Sequence, residues 1–265
     1  MMGKRNFLGF LIVAVALFAS CSGFEKVLKS KDYEFKYQKA LEYFKKQDHY
    51  RYTTLFEQLV PIYKGTQRAD TVEYYLALGY YNQGDYILSG HYFDKFRKTY
   101  PRSAFAEEAE YMYAYCYYQS SPRPELDQDN TQAAIAAFTE FLAKYPRTQK
   151  RSEVNTLLNE LKDKLVEKSY LSSKLYYNVG EYKAAIVAIK NSLKDYPNSK
   201  YREEQLYMIL RASFLLADNS VPEKRRDRFQ ATIDEYYSLI GEFPETRYLS
   251  EAKRMYEQAL KVVKN

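Results

Sequence analysis

Few residues in this chain of 265 have the type and spacing for covalent or metal chemistry. His49 and His91 lie far apart, each next to a tyrosine. The sequence does not bring near either of them the partners that a metal site or a histidine-based catalytic set needs. Both read as surface or packing residues. Asp127, Asp129 and Asn130 resemble the opening of a calcium loop, but its central glycine and closing glutamate are missing. A solvated loop whose last acids cap the next helix is the better reading. Glu107–Glu108 and Glu203–Glu204 are adjacent, so on a helix they diverge and read as ordinary solvated charges. Nine glycines are spread along the chain without a phosphate-cradling run. Cys116 sits among apolar residues at helical spacing with no basic neighbour, which marks a buried structural thiol. No catalytic residue, no metal site and no enzymatic activity are expected.

Contact chemistry, by contrast, is abundant. The chain holds 30 tyrosines and no tryptophan. A tyrosine offers a flat apolar face with a hydrogen-bonding tip at small entropic cost, which suits the binding of polypeptide surfaces. The formal charge of +6 is small and evenly mixed, and so does not imply nucleic acid.

The elements that must position these side chains repeat. Tyr86 to Ser103 ends in Tyr100-Pro101-Arg102-Ser103, and that ending returns as Tyr145-Pro146-Arg147-Thr148, Tyr196-Pro197-Asn198-Ser199 and Phe243-Pro244-Glu245-Thr246. Fifteen residues before each proline stand Tyr86, Thr131, Tyr182 and Phe229, and seven residues into each copy stand Phe93, Phe138, Ile189 and Tyr236. Proline stops a helix, and the Ser or Thr two residues on can accept a hydrogen bond from a free amide of the next one. One helix of such a pair cannot bury its apolar face alone, whereas stacked pairs can. No stretch alternates in the manner of a strand. The expected fold is therefore all-α, a solenoid of five helix pairs with a C-terminal capping helix. Pairs are expected at about 32–65, 70–101, 103–146, 150–197 and 201–244, with the cap at 247–264. The first pair fits worst, with Gln47-Asp48 at its turn and Gly65 in the proline's place. An insertion, Ser121 to Asp129, must be a surface loop, and a charged loop is expected around Pro222 to Arg226.

Residues 1–20 carry Lys4 and Arg5 before a short apolar run, Phe7 to Phe18, and read as an export signal. Ala19-Ser20-Cys21 resembles the lipobox of bacterial lipoproteins, in which the cysteine is acylated, with Phe18 where an aliphatic is usual. An ordinary cleaved signal with an incidental Cys21 is the alternative. Ser22 after the cysteine implies, by that resemblance, the outer membrane. Residues 21–31 are then a lipidated tether, and 32–265 the solenoid. The lipid on Cys21 is the only prosthetic group expected, and Cys116 is left without a disulfide partner.

The helix pairs resemble tetratricopeptide (TPR) repeats. Pair two has Leu76-Ala77, Tyr80, Gly84, Phe93 and Pro101 at that family's spacing, although 45, 51 and 47 residues separate successive prolines where the family's period is about 34. With the lipobox, the interrupted third pair and the long fourth helix through Tyr176-Tyr177 to Gly180, the chain resembles the BamD family, the TPR lipoproteins of the outer-membrane β-barrel assembly machinery. The resemblance implies an adaptor on the periplasmic face of the outer membrane, with unfolded outer-membrane proteins and a BamA-like barrel assembly subunit as partners. It places Tyr74, Leu78, Tyr81, Asn82, Tyr111, Tyr115, Tyr118, Gln119, Tyr170, Lys174, Tyr177 and Asn178 on the concave side, and Tyr80, Tyr117 and Tyr176 in the core. Lys45 and Lys46 fall where they could attract a C-terminal carboxylate. Arg225, Arg226 and Arg228, with Lys224, would face the barrel subunit, though a solvated loop explains them nearly as well. Another envelope TPR scaffold, coordinating wall synthesis or division, is the competing reading. A wall-cleaving solenoid enzyme is a third.

Overall fold

A computed structural model describes residues 23–264. Helix α1 covers residues 23–29. It is followed by α2 (Tyr33–Lys45), α3 (His49–Tyr63), α4 (Ala69–Asn82), α5 (Tyr86–Thr99), α6 (Ala106–Ser120), α7 (Asp129–Lys144), α8 (Arg151–Asn178), α9 (Tyr182–Asp195), α10 (Arg202–Asp218), α11 (Pro222–Glu242) and α12 (Leu249–Lys264). The described residues contain no strand. The helices follow one another as five pairs, α2–α3 to α10–α11, and α12 packs on α10 and α11 as a closing helix. None of the described helices is long and apolar enough to cross a membrane.

Local chemistry fixes the boundaries. Asp32, Asp48 and Asp85 cap α2, α3 and α5 by accepting from the amides of Phe35, Arg51 and Leu88 at 2.9, 3.2 and 3.0 Å. After each proline the hydroxyl signal works as the sequence suggests. Ser103, Thr148, Ser199 and Thr246 accept from the amides of Phe105, Lys150, Tyr201 and Tyr248 at 3.1–3.3 Å. Thr66, after Gly65, does the same for Arg68. The turns of pairs two and four need a left-handed residue, supplied by Gly84 (φ 81°) and Gly180 (φ 82°). Gln47 takes that conformation in pair one, at φ 57°.

The chain divides into two compact units. The first runs through Ser121 and adds Asp129–Leu158. Its deepest packing joins Tyr52, Leu55, Phe56 and Leu59 of α3 to Val72 and Leu76 of α4. Residues 23–29, expected as part of a tether, instead form a docked helix. Val27 is buried, Phe24 meets the Tyr43 ring edge-on, and the buried Lys36 ammonium donates to Leu28 O at 3.0 Å and Gln58 Oε1 at 2.6 Å. The second unit takes Pro122–Gln128 and Asn159 onward. It centres on Leu206, Tyr207, Met208, Ile209 and Leu210 of α10, packed with Ile189, Leu239, Ala252 and Met255.

Two expectations need correction here. The charges after Pro222 are not in a loop but form the first turns of α11, with extended Val221 as cap and Pro222 at the first helical position, where a missing amide hydrogen costs nothing. The paired acids are not free solvated charges either. Glu107 and Glu203 accept from Thr148 and Thr246 at 2.7 and 2.6 Å, so they tie the start of one pair to the linker of the next.

Candidate functional site

One tyrosine in each of five first helices has a recurring partner. Arg68 lies over the Tyr37 ring at 4.8 Å, and Lys150 over Tyr111 at 4.2 Å. Phe105 stacks on Tyr74, Tyr201 on Tyr170 and Tyr248 on Tyr207, with centroids 4.4, 4.0 and 3.9 Å apart. Each lid residue immediately precedes the first helix of the next pair, or α12. Three residues beyond the lid, Glu153, Glu204 and Glu251 accept from the hydroxyls of Tyr111, Tyr170 and Tyr207. Burial, reinforced by those carboxylates, raises the pKa of all three phenols. The sequence reading missed this latch. Its signal was the interval of 37 residues that separates Tyr37, Tyr74 and Tyr111, and again Tyr170 and Tyr207.

The latch moves three expected groove residues, Tyr74, Tyr111 and Tyr170, into the core. Tyr74 is 8% exposed and Tyr111 5%, each held between its lid and two rings of the second helix, Phe93 and Phe96 or Phe138 and Phe141. A ring enclosed in this way has no face left for a guest. Tyr170 is buried likewise, and Lys174 is held by Glu204 at 2.8 Å. Tyr176, expected in the core, is 47% exposed at the end of α8. Tyr80 and Tyr117 are half-buried against Tyr92 and Tyr113.

What remains on the first unit is a rank of half-buried rings. Tyr86 lies 5.4 Å from Tyr81, which lies 6.0 Å from Tyr115, and Tyr115 stacks on Tyr118 at 5.4 Å. Burial, with Tyr115 and Tyr86 adding to it, pushes the Tyr81 hydroxyl up to about 12, so the ring stays neutral at physiological pH. Leu78, Tyr81 and Asn82 share one face of α4. Beside them a recess of about 480 Å³ is lined by Phe44, Lys45, Gln47, His49, Leu78 and Asn82.

Its polar groups are distinct in state. Asn82 Nδ2 donates to the buried Tyr52 hydroxyl at 2.8 Å, which orients the amide. His49 has a buried Nδ1 without a hydrogen-bond partner among the described residues. Lys45 is exposed and has no ion pair among the described residues, while Lys46 is held by Glu42 at 2.7 Å and does not line the recess. The arrangement offers one cation, one oriented amide and aromatic walls, which can receive an aromatic side chain near a carboxylate. No group of three or more metal-binding side chains occurs among the described residues.

In the second unit Arg225 pairs with Asp218 at 2.8 Å, Arg228 donates to Ser220 Oγ at 2.5 Å, and Arg226 is exposed. Cys21, the expected lipid site, lies outside the described residues. Cys116 is 2% exposed, and burial pushes its thiol up to about 11 against a hydrogen bond with Ser89, as an inert structural cysteine requires.

Comparison with solved structures brings up distant likenesses, two of them from yeast. The complex of the TPR2AB domain of yeast Sti1 with pHSP90 aligns at 13% identity over 86% of this chain and 98% of its own, with a TM-score of 0.40. The yeast histone chaperone Hif1 aligns at 14% identity over 75% and 94%, with a TM-score of 0.25. Neither likeness bears on ligand or partner. The model of the YfiO family, described as outer membrane lipoprotein, matches residues 29–226 and again 174–263. The chain thus belongs to the YfiO family of outer membrane lipoproteins.

Proposed function

We propose that this chain is a non-catalytic adaptor of outer-membrane protein assembly, held to the membrane by lipid on Cys21 and facing the periplasm. Its first unit binds the aromatic-rich C-terminal segment of unfolded β-barrel proteins. The basic start of α11, with Arg226 exposed and Arg225 and Arg228 beside it, meets a BamA-like barrel assembly subunit. Family membership supports the setting. The observation that carries the binding role is the tyrosine rank Tyr81–Tyr115–Tyr118 ending at a recess with the unpaired Lys45. An aromatic side chain would stack along the rank, and a terminal carboxylate would sit at Lys45.

Fluorescence anisotropy with a labelled peptide ending in a free-carboxylate phenylalanine tests this. Tyr81→Ala and Tyr118→Ala should each weaken binding about tenfold, about 1.4 kcal/mol, at unchanged helicity. Amidating the peptide terminus should matter in the native protein and not in Lys45→Ala. Unchanged affinity in the two tyrosine variants would remove the reading.

A further inference from the structure

The internal repeat exposes a second site on the first unit. Four residues into each copy of the repeat the chain places Gly90, Ile135, Ile186 and Ile233. Ile233 is buried at 6% exposure, and Ile186 packs against the core of its unit. In the second pair glycine stands where the other three copies carry isoleucine. A glycine inside a helix costs about 1 kcal/mol relative to alanine, so its presence in α5 asks for a reason. Close helix approach does not supply it. A Cβ built on Gly90 meets only Cys116 Cβ, at an ordinary 3.4 Å. The contrast is Gly79, where a Cβ would fall 2.2 Å from Thr53 Oγ1.

Gly90 opens instead onto a recess of about 370 Å³ formed by α5, α6 and the first turn of α7. Gly90 and Cys116 line it together with the half-buried rings of Tyr86, Tyr113 and Tyr117. Ile87, also lining it, is 82% exposed, more than any other large apolar residue described. His91, Asp94, Ser120 and Asn130 also line it; His91 and Asn130 are exposed, Asp94 is paired with Arg97 and Lys98, and Asn130 Nδ2 donates one hydrogen bond to Ser120 O. None of these residues belongs to the Lys45 recess.

We propose that this recess is a docking pocket for one apolar side chain, branched aliphatic or aromatic, projected by a partner polypeptide. The class of occupant follows from the molecule itself. In the other three copies this position of the second helix is filled by the chain's own isoleucine, and here an external side chain takes that place. The polar groups beside it select a polypeptide over a lipid chain. The histidine, serine and asparagine can bond peptide N–H and C=O groups, whereas an acyl chain offers nothing to satisfy them. Exposed Ile87 adds apolar contact area next to the inserted side chain.

Amide NMR titration of the whole protein with N-acetylphenylalaninamide and N-acetylisoleucinamide tests the pocket, since neither probe has a terminal carboxylate to engage Lys45. Saturable shifts are expected at Gly90, Cys116 and Tyr117, and none with N-acetylglycinamide. Gly90→Ile, which restores the residue of the other copies, should weaken both probes at least tenfold and raise the thermal midpoint. If that variant does not fold, Gly90→Ala should give a smaller loss in the same direction. Shifts that persist unchanged in the variants, or decanoate binding more tightly than either amide, would overturn the proposal. Binding of the carboxylate peptide should be unaffected by Gly90→Ile, and binding of the amide probes by Tyr118→Ala, so failure at one site is separable from failure at the other.

Discussion

Gln47 has the only positive φ of a non-glycine residue among those described, 57°, at the turn where pairs two and four carry glycine. A side chain in that region meets its own carbonyl, at a cost of about 1–2 kcal/mol. Glycine removes the clash but adds entropy to the unfolded chain. Gln47→Gly should therefore raise stability by about 0.5–1 kcal/mol, read as a higher urea midpoint at unchanged slope. A lowered midpoint would mean that the glutamine side chain is worth more in the recess than its backbone strain. A second prediction concerns alkali. Burial holds the Cys116 thiol at about 11 and the Tyr100 hydroxyl, which donates to Glu73, at about 12, above their ordinary values of 9.0 and 10.0. The neutral form is the protonated one, so the unfolded chain loses these protons first. Stability is complete below pH 9 and falls as pH rises toward 11 and 12. The Cys116 share, on the order of 1–3 kcal/mol, should vanish from the pH 9–11 window in Cys116→Ala. Equal slopes in both proteins would refute it. At this scale the sequence announced the hydroxyls after proline, because one residue and its neighbours determine them. It misplaced Tyr74 and Tyr111, because burial there depends on a lid more than thirty residues away.

Helices hold to one another through a few charged contacts as well as apolar ones. Glu110 of α6 is 2% exposed and accepts from Arg97 of α5 at 2.8 Å and Lys144 of α7 at 2.5 Å. Burial works against the Arg97 charge, but its bonds to Glu110 and Asp94 outweigh that and raise its pKa. The guanidinium also lies 4.3 Å from the Tyr113 ring. Removing the carboxylate leaves two cations facing each other across α6. Glu110→Ala should cost about 3 kcal/mol, the low end for a broken buried pair, because Asp94 still holds Arg97. Chemical denaturation measures this, and a loss under about 1 kcal/mol would show the network to be a surface feature. Apart from α1, helix number and order were legible because proline, glycine and aspartate punctuate the sequence at nearly every boundary. The start of α11 was not. Lys224, Arg225, Arg226 and Arg228 read as solvent charges, and solvent charges sit equally well on a loop or on the exposed turns of a helix. The pocket at Gly90 was within reach of the same alignment of repeats, but a glycine in the isoleucine's place opens onto a cavity only when the neighbouring helices are in place.

Over the whole molecule, stability in stacked helix pairs is set by each pair and its nearest neighbours. The two units have separate clusters of buried side chains, one around Tyr52 and Phe56 and another around Leu206 to Leu210. Damage in one should therefore stay there while the chain opens by parts. Leu239 of α11 is wholly buried in the second unit, and Leu239→Ala should cost it about 2–5 kcal/mol. Hydrogen exchange under native conditions would then show faster exchange across α9 to α12, with amides of α3 to α5 protected as before. The distinction matters for the proposed adaptor, since a partner seated on α11 could loosen or brace its own unit without altering the tyrosine rank on α4 and α6. If Leu239→Ala lowered protection equally in α3 to α5, the chain would open as a single cooperative body. Loss of the second unit would then abolish peptide binding at the first.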